Sequence, residues 1–573
     1  MKPIIYQVFT RLFGNQNTTR KENGSYEENG SGKMNDFDEK VLRRIKSMGV
    51  THVWYTGVIR HASATDYSKY GIPTQHAEIV KGKAGSPYAI TDYYDIDPDL
   101  AVDVNRRMEE FEQLVERTHK AGLKVIMDFV PNHVAREYRS VCRPDGVRDL
   151  GEDDDTTKHF STDNNFYYCW GQPLDLSEII VDPALILQSK ESLAGQSASI
   201  FAKQSPLYTE VPARATGNDQ FSNRPGRNDW YETIKLNYGI DYCDAGGRSE
   251  HFNPIPDTWR KMTDILLFWA AKGIDGFRCD MAEMVPTAFW YWAVDKVKYR
   301  YPEKLFIGEV YNPAEYRNYL NAGFDYLYDK VGMYDSIRGI ICGHRRASDI
   351  TYRWQLTDDI RDHMLYFLEN HDEQRVASDE FAGNAFRAIP GLLVSVLMQT
   401  NPFMLYAGQE FGERGMEKEG FSGRDGRTTI FDYWSVESLR RGYFDRRALT
   451  TEEKRLEAIY QFILNMANEE KAVREGEFFD LMYVNQHIGD RQYAFLRKAD
   501  DELLLVVVNF SDQDVSCDVV IPSHAIDYLQ VSAKEYTATD LLFGDTLKVV
   551  LRGDQAIKID MAPYAGRVYK LKL

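Results

Sequence analysis

The stretch "GIDGFRCDMAEMVP", residues 273–286, decides how this chain is read. It follows "DTWRKMTDILLFWAAKG" (257–273), where apolar residues recur at helical spacing and Gly273 stands at the end. The run "GFRCD" (276–280) then reads as a buried strand. Side chains alternate along a strand, so Arg278 and Asp280 share one face. Burying two opposite charges costs more than their attraction usually returns. A helix that feeds a strand ending in so expensive a pair predicts one unit of a β/α fold, with a use for the pair.

The same rhythm extends in both directions. "IIYQVFTRLF" (4–13), "THVWYTGVI" (51–59), "KVIMDFVPNH" (124–133), "KLFIGEVY" (304–311), "FDYLYD" (324–329), "HMLYFLENHD" (363–372) and "PFMLYAGQE" (402–410) join "GFRCD" as strand candidates, eight in all. Helical patterns fall between them, among them one around 106–121 and "DFDEKVLRRIKSMG" (36–49), with Asp36 as N-cap and Phe37, Leu42, Ile45 and Met48 inward. Alternation implies parallel strands. Eight repeats favour a (β/α)8 TIM barrel over an open doubly wound sheet, and no G-x-G-x-x-G loop supports the sheet.

Two regions break the rhythm. Residues 134–240 carry an acidic run ("GEDDD", 151–155), many aromatics and many turn residues, too long for a simple loop. They predict an inserted domain B after strand three. From 476 onward, "LLLVVVNFS" (503–511), "DVVIPS" (518–523), "LKVVL" (547–551) and "RVYKLKL" (567–573) read as antiparallel strands of a β-sandwich. The expected fold is α/β: a barrel from 1–133 and 241–475, domain B at 134–240, and a C-terminal antiparallel β-sandwich at 476–573. The Asn/Gly/Ser-rich stretch 14–35 follows strand one and is expected as a flexible loop on the barrel's active face.

Composition narrows the function. A hydrophobic fraction of 43%, with 36 Tyr, 29 Phe and 9 Trp, excludes a disordered chain. A net charge of −18 argues against nucleic-acid partners, which need clustered Lys and Arg; solubility is the simpler reading. No run approaches the ~18 apolar residues of a membrane helix, and the N-terminus lacks the apolar core and cleavage site of a signal peptide. Cys142, Cys169, Cys243, Cys279, Cys342 and Cys517 are scattered without a C-x-x-C pair, so they read as reduced thiols, not a disulfide framework or zinc site. A cytoplasmic location is expected, where the N-x-S/T triplets at Asn17, Asn23 and Asn29 mean nothing. Oligomeric state leaves no mark on the sequence.

Polar residues gather at the strands' C-terminal ends: Asp128, Asn132 and His133 on the third, Arg278 and Asp280 on the fourth, Glu309 on the fifth, His371 and Asp372 on the seventh. Singly each has a structural explanation: Asp128 a strand-end cap, His133 a satisfied core histidine, Glu309 a solvated loop acid. Together, at the ends where barrel strands open into one mouth, they point to catalysis. Two carboxylates suffice to cleave a glycosidic bond, one at C1 and one protonating the leaving oxygen. Arg278 would keep Asp280 ionised and oriented.

The motifs "DFVPNH" (128–133), "GFRCD" (276–280), "GEVYN" (308–312) and "ENHDEQR" (369–375) resemble, in order, the four conserved regions of the α-amylase family of glycoside hydrolases. "SPYAITDYYDIDP" (86–98) is similar to that family's tyrosine-containing loop and "YAGQEFGE" (406–413) to its strand-eight signature, so the resemblance covers the whole chain. It implies a retaining mechanism through a covalent glycosyl-enzyme on Asp280, with Glu309 as acid/base kept protonated by nearby Asp charges and Asp372 as the third carboxylate. It also implies that Tyr88, His133, Arg278 and His371 line the subsite of the attacked glucose, and that Arg375 reaches the neighbouring sugar. Where many α-amylases have Lys then His, this chain has Glu283 and Met284 on the leaving-group side, which speaks against endo-action on long starch; packing alone would equally account for Met284.

No cofactor is required by this chemistry. The resemblance further implies that a structural calcium would use Asn132, a domain B carboxylate such as Asp175 or Asp241, and a backbone carbonyl that the change to Met284 leaves intact. The expected activity is hydrolysis of α-1,4 bonds in malto-oligosaccharides or starch fragments. A transglycosylase or isomerase of the glucanotransferase or trehalose synthase type would share every motif. An inactive carbohydrate-binding protein would be marked by a lost carboxylate, and Asp280, Glu309 and Asp372 are all present.

Overall fold

The computed structural model describes residues 1–180, 208–226 and 228–573. Eight parallel strands close into a barrel: β1 (Ile4–Phe9), β2 (His52–Thr56), β3 (Lys124–Phe129), β4 (Gly276–Cys279), β5 (Leu305–Gly308), β6 (Tyr326–Tyr328), β7 (Met364–Phe367) and β8 (Phe403–Tyr406). Each pairs with its neighbour in sequence, and β1 closes the ring on β8 with Ile4 opposite Phe403. The strands are short apolar runs, as parallel strands covered on both faces require. Helices α1 (Glu39–Ser47), α2 (Arg107–Lys120) and α3 (Asp257–Ala271) pack outside. After α3, Gly273 takes φ +85, a left-handed turn that glycine makes without strain and that leads the chain into β4.

Three local expectations change. The first strand stops at Phe9, because Thr10–Phe13 turn helical. The N-cap of α1 is Asp38, whose side chain accepts from Val41 N, while Asp36 belongs to a preceding 3-10 turn. Residues 14–35 are pinned rather than free. Buried Asn15 donates through Nδ2 to Asn29 O (2.9 Å) and Trp434 O (2.8 Å), and buried Asn29 donates to Tyr433 O (2.8 Å). Buried amides demand such partners, and these dock the loop on the segment after β8.

Past β3, the strand His133–Ala135 pairs antiparallel with Thr233–Lys235, which ties down both ends of the inserted segment. Ile240–Asp241 pairs with Ser249–Glu250 before α3 begins. The C-terminal all-β part holds β9 (Glu477–Asp480), β10 (Gln492–Ala499), β11 (Glu502–Asn509), β12 (Val515–Ile521), β13 (Glu535–Asp540), β14 (Thr546–Val550), β15 (Gln555–Met561) and β16 (Gly566–Lys572). Its antiparallel six-stranded sheet runs β9-β10-β11-β16-β13-β14, and β12 pairs with β15 in a second sheet. Among the described residues no helix is long and apolar enough to cross a membrane, and all six cysteines are unpaired.

Candidate active site

The parallel ladder places the reactive side chains. Arg278 stands opposite Asp128 across β4 and β3, so the two share the inner face. One residue past the strands the ladder continues: Asp280 N donates to Phe129 O (2.9 Å) and Glu309 N to Cys279 O (3.1 Å), which fixes both carboxyl-bearing residues. Met281 follows in the left-handed region at φ +42, an unfavourable place for a side chain. That turn aims its N–H at Glu309 Oε2, 2.8 Å away.

Arg278, 1% exposed, is the hub. Its Nη1 donates to Asp280 Oδ1 at 2.8 Å and lies 3.5 Å from Asp128 Oδ1. Its Nη2 lies 2.6 Å from Glu309 Oε2, with no N–H aligned along that line. Its Nε donates to Tyr328 Oη (3.2 Å), and the guanidinium sits 5.2–5.5 Å from the ring centres of Trp54, Tyr88 and Tyr328. One cation thus serves three carboxyls.

One cation does not neutralise them all. Burial pushes Asp280 well above the carboxylate range; Arg278 opposes this, and Glu309, Asp372 and Asp128 add to it. Arg278 pulls Asp280 toward its ionised form, while desolvation and the neighbouring carboxyls push the other way. Burial also raises Asp128 to about 6, against Arg278 and the hydrogen bonds from Trp54 and Gly57. Asp372 is raised by burial against Arg278 and Arg427, but 40% of its side chain is accessible from the cavity, so water weakens that push. Burial thus pushes Asp280, Asp128 and Asp372 upward together.

The two histidines are neutral, pushed down to about 3, foremost by burial. Gln7 of β1 lies 2.8 Å through Nε2 from His371 Nδ1. An amide nitrogen only donates, so Nδ1 accepts and the proton sits on Nε2. That nitrogen faces Tyr88 Oη and, at 3.2 Å, Asp372 Oδ2.

These groups surround a cavity of about 250 Å³, lined by Tyr88, His133, Asp280, Glu309 and Asp372 together with Lys81, Trp230, Glu232, Met281, Tyr311 and Phe431. The sequence matches the family model described as "Alpha amylase, catalytic domain" over residues 7–173 and 254–461, and "Alpha amylase, C-terminal all-beta domain" over 483–572. The chain belongs to the alpha-amylase family. Its similarity to individual members is low. It is 23% identical to Alpha-amylase MalA of Haloarcula japonica, over 97% of this chain and 60% of that protein. It is 22% identical to Alpha-amylase 3 of Dictyoglomus thermophilum, over 89% of this chain and 84% of that protein. In fold it is similar to the alpha-amylase from Geobacillus thermoleovorans complexed with acarbose, at TM-score 0.63 and 19% identity, over 100% of this chain and 98% of that one.

In this alpha-amylase family glycoside hydrolase, Arg278 and His371 lie behind the cavity wall, the first bonded to Asp280 and the second with its ring tilted against that of Tyr88. Arg375 departs from the expected sugar contact. It is 1% exposed, ion-paired to Glu369 at 3.0 Å, donates to Thr428 Oγ1 and Ala407 O, and lies on the Tyr406 ring. Its Nε and Nη1 are taken up by the protein, and the cavity lining does not include it. Glu283 and Met284 line an adjoining depression of about 610 Å³ with Tyr242, Phe252 and Asn312. Glu283 Oε2 accepts from Tyr311 N (2.9 Å) and Asn312 N (3.0 Å), tying the loop after β4 to the loop after β5.

Asn132 fails the test for a calcium ligand. Its Oδ1 accepts from the buried ammonium of Lys235 at 2.8 Å, and that ammonium lies 2.5 Å from Asp219 Oδ1. Calcium needs six to eight oxygen ligands, and here a fixed positive charge stands against the first of them. Asp175 is paired with Arg224 at 2.6 Å, and Asp241 accepts from Cys243 N. The residues present do not fit a calcium ion at Asn132.

Tyr311 was missed from the sequence, although its position two past Glu309 puts it on the same face of an extended chain. Its Oη donates to Glu309 Oε1 at 2.6 Å. Trp230 and Glu232 arrive from about a hundred residues beyond His133, and no local signal marks them.

Proposed function

We propose that the protein is a retaining α-glucan hydrolase that cleaves α-1,4-glucosidic bonds of malto-oligosaccharides, with Asp280 as nucleophile and Glu309 as acid/base. The observation that carries this reading is a single guanidinium set between those two carboxyls, both of which open into one cavity. A sugar ring there meets Tyr88, His133 and Asp372. The Asp280 carboxylate attacks C1 as the glycosidic bond breaks, and Glu309 gives its proton to the departing oxygen. Glu309 then takes a proton from water, whose oxygen attacks C1 and frees Asp280. Asp372 takes hydrogen bonds from the ring's hydroxyls.

The names of the relatives support α-glucans as the substrate class. Six unpaired cysteines support a reducing compartment, the cytoplasm. A second reading, transglycosylation, draws on the depression beside Glu309, which suits an acceptor sugar as well as a leaving one. Purified protein incubated with maltoheptaose, maltose, sucrose and trehalose, followed by chromatography and anomeric NMR, decides. Shorter α-anomeric sugars, lost in Asp280→Asn, support hydrolysis; longer products show transfer; no turnover overturns both.

A further inference from the structure

The cavity has two unlike ends. At one, Met281, Glu309 and Tyr311 adjoin the depression lined by Glu283, Met284 and Asn312, so the leaving group has somewhere to go. The other end is walled by two loops and the inserted segment. Lys81 comes from the loop after β2 and Phe431 from the loop after β8. The backbones of these loops are joined, with Ala84 N donating to Phe431 O at 3.0 Å. Buried Arg11 clamps them from below, donating to Ala84 O (2.9 Å) and Ile430 O (2.7 Å). Gly82, at φ +65, would place a Cβ 2.2 Å from Phe431 O, so that approach requires glycine.

Lys81 crosses from this wall to the inserted segment, where its Nζ lies 2.9 Å from Glu232 Oε1. The other oxygen, Glu232 Oε2, is buried and has no hydrogen-bond partner among the described residues, on a side chain that is 6% exposed and lines the cavity. A buried unpartnered acceptor is costly unless a ligand supplies a donor. A terminal sugar hydroxyl supplies one; a glycosidic oxygen, having no hydrogen, does not.

We propose that this end is blind: the cavity takes one terminal sugar, Glu232 accepts a hydrogen bond from a hydroxyl at its non-reducing end, and the enzyme removes single units from glucan ends. The proposal rests on the hydrolytic reading given above and adds the direction and length of the bite. A cavity of about 250 Å³ is below the usual ligand-pocket range of ~300–1,000 Å³.

The test uses the full chain with maltoheptaose and with a chromogenic maltoheptaoside whose non-reducing end carries a 4,6-O-ethylidene block. A site built to bind a hydroxyl rejects a substrate lacking it, so the blocked chain is cleaved at least ~100-fold more slowly, and glucose with maltohexaose are the first products of the free chain. In Glu232→Ala the ratio of blocked to free rates rises about tenfold or more, a shift that a loss of folding alone would not give. Equal cleavage of both chains, or maltose and longer fragments as first products, overturns the blind end and leaves hydrolysis standing. An unchanged ratio in Glu232→Ala overturns the role of Glu232. No cleavage of either chain overturns hydrolysis and the proposal with it.

Discussion

Tyr311→Phe removes one hydroxyl, the one that donates to Glu309 Oε1 at 2.6 Å. Burial and the charges of Glu309 and Asp372 hold the phenol proton on Tyr311, so the hydroxyl is the donor. A hydrogen bond to a charged group is worth ~1.5–3 kcal/mol. Tyr311 opens into the cavity, where water replaces part of the lost bond, so the lower end applies: about 1.5 kcal/mol, or about tenfold in rate. The hydroxyl orients the Glu309 carboxyl for the departing oxygen, so kcat/KM on a chromogenic α-glucoside should fall about tenfold. The fall stays well short of the loss in Glu309→Gln, because Tyr311 transfers no proton. An unchanged kcat/KM, or a loss as large as that of Glu309→Gln, refutes the reasoning.

Asp128 is raised from 3.8 to about 6, so the fold holds a proton that the unfolded chain releases; stability falls as pH rises through that window. At about 1.4 kcal/mol per pH unit, denaturant titrations should show wild type losing about 3 kcal/mol relative to Asp128→Asn between the two ends. Lys235→Met strips the cation from buried Asn132 and half-buried Asp219, and should cost about 2 kcal/mol of stability in the same assay. In wild type a chelator should leave Tm unchanged, and a fall would contradict the reading of Lys235 as the resident cation. Arg375→Gln breaks a pair buried on both sides and should lower stability by about 3 kcal/mol while leaving KM unaltered, whereas a sugar contact would raise KM.

The barrel was legible because its strands are short apolar runs that end in polar residues at corresponding points. Asp280 and Glu309 were legible for the same reason: a strand end fixes direction, so neighbours across the ladder meet. What failed lay on irregular backbone. Arg375 and its partner Glu369 sit six residues apart in one quoted motif, yet a loop assigns no geometry to that spacing. Lys235 lies six residues before Asp241, so a carboxylate is expected there for a metal, and an ammonium stands against Asn132 instead. Glu232 needed the tertiary structure outright, because its meeting with Lys81 joins segments some 150 residues apart. The upward push on Asp280 was not legible, because the sequence sets one arginine beside one aspartate and does not show the buried cluster around them.

The bond between Asp280 and C1 can be observed. A 5-fluoro-α-glucosyl fluoride suits the purpose: fluorine on the ring destabilises the positive charge of both transition states, while the fluoride leaving group restores only the first step. The enzyme incubated with it, digested and analysed by mass spectrometry should carry one fluoroglucosyl group on the peptide containing Asp280, and Asp280→Asn should carry none. Label on Glu309, or fluoride release with no labelled peptide, would contradict Asp280 as the nucleophile.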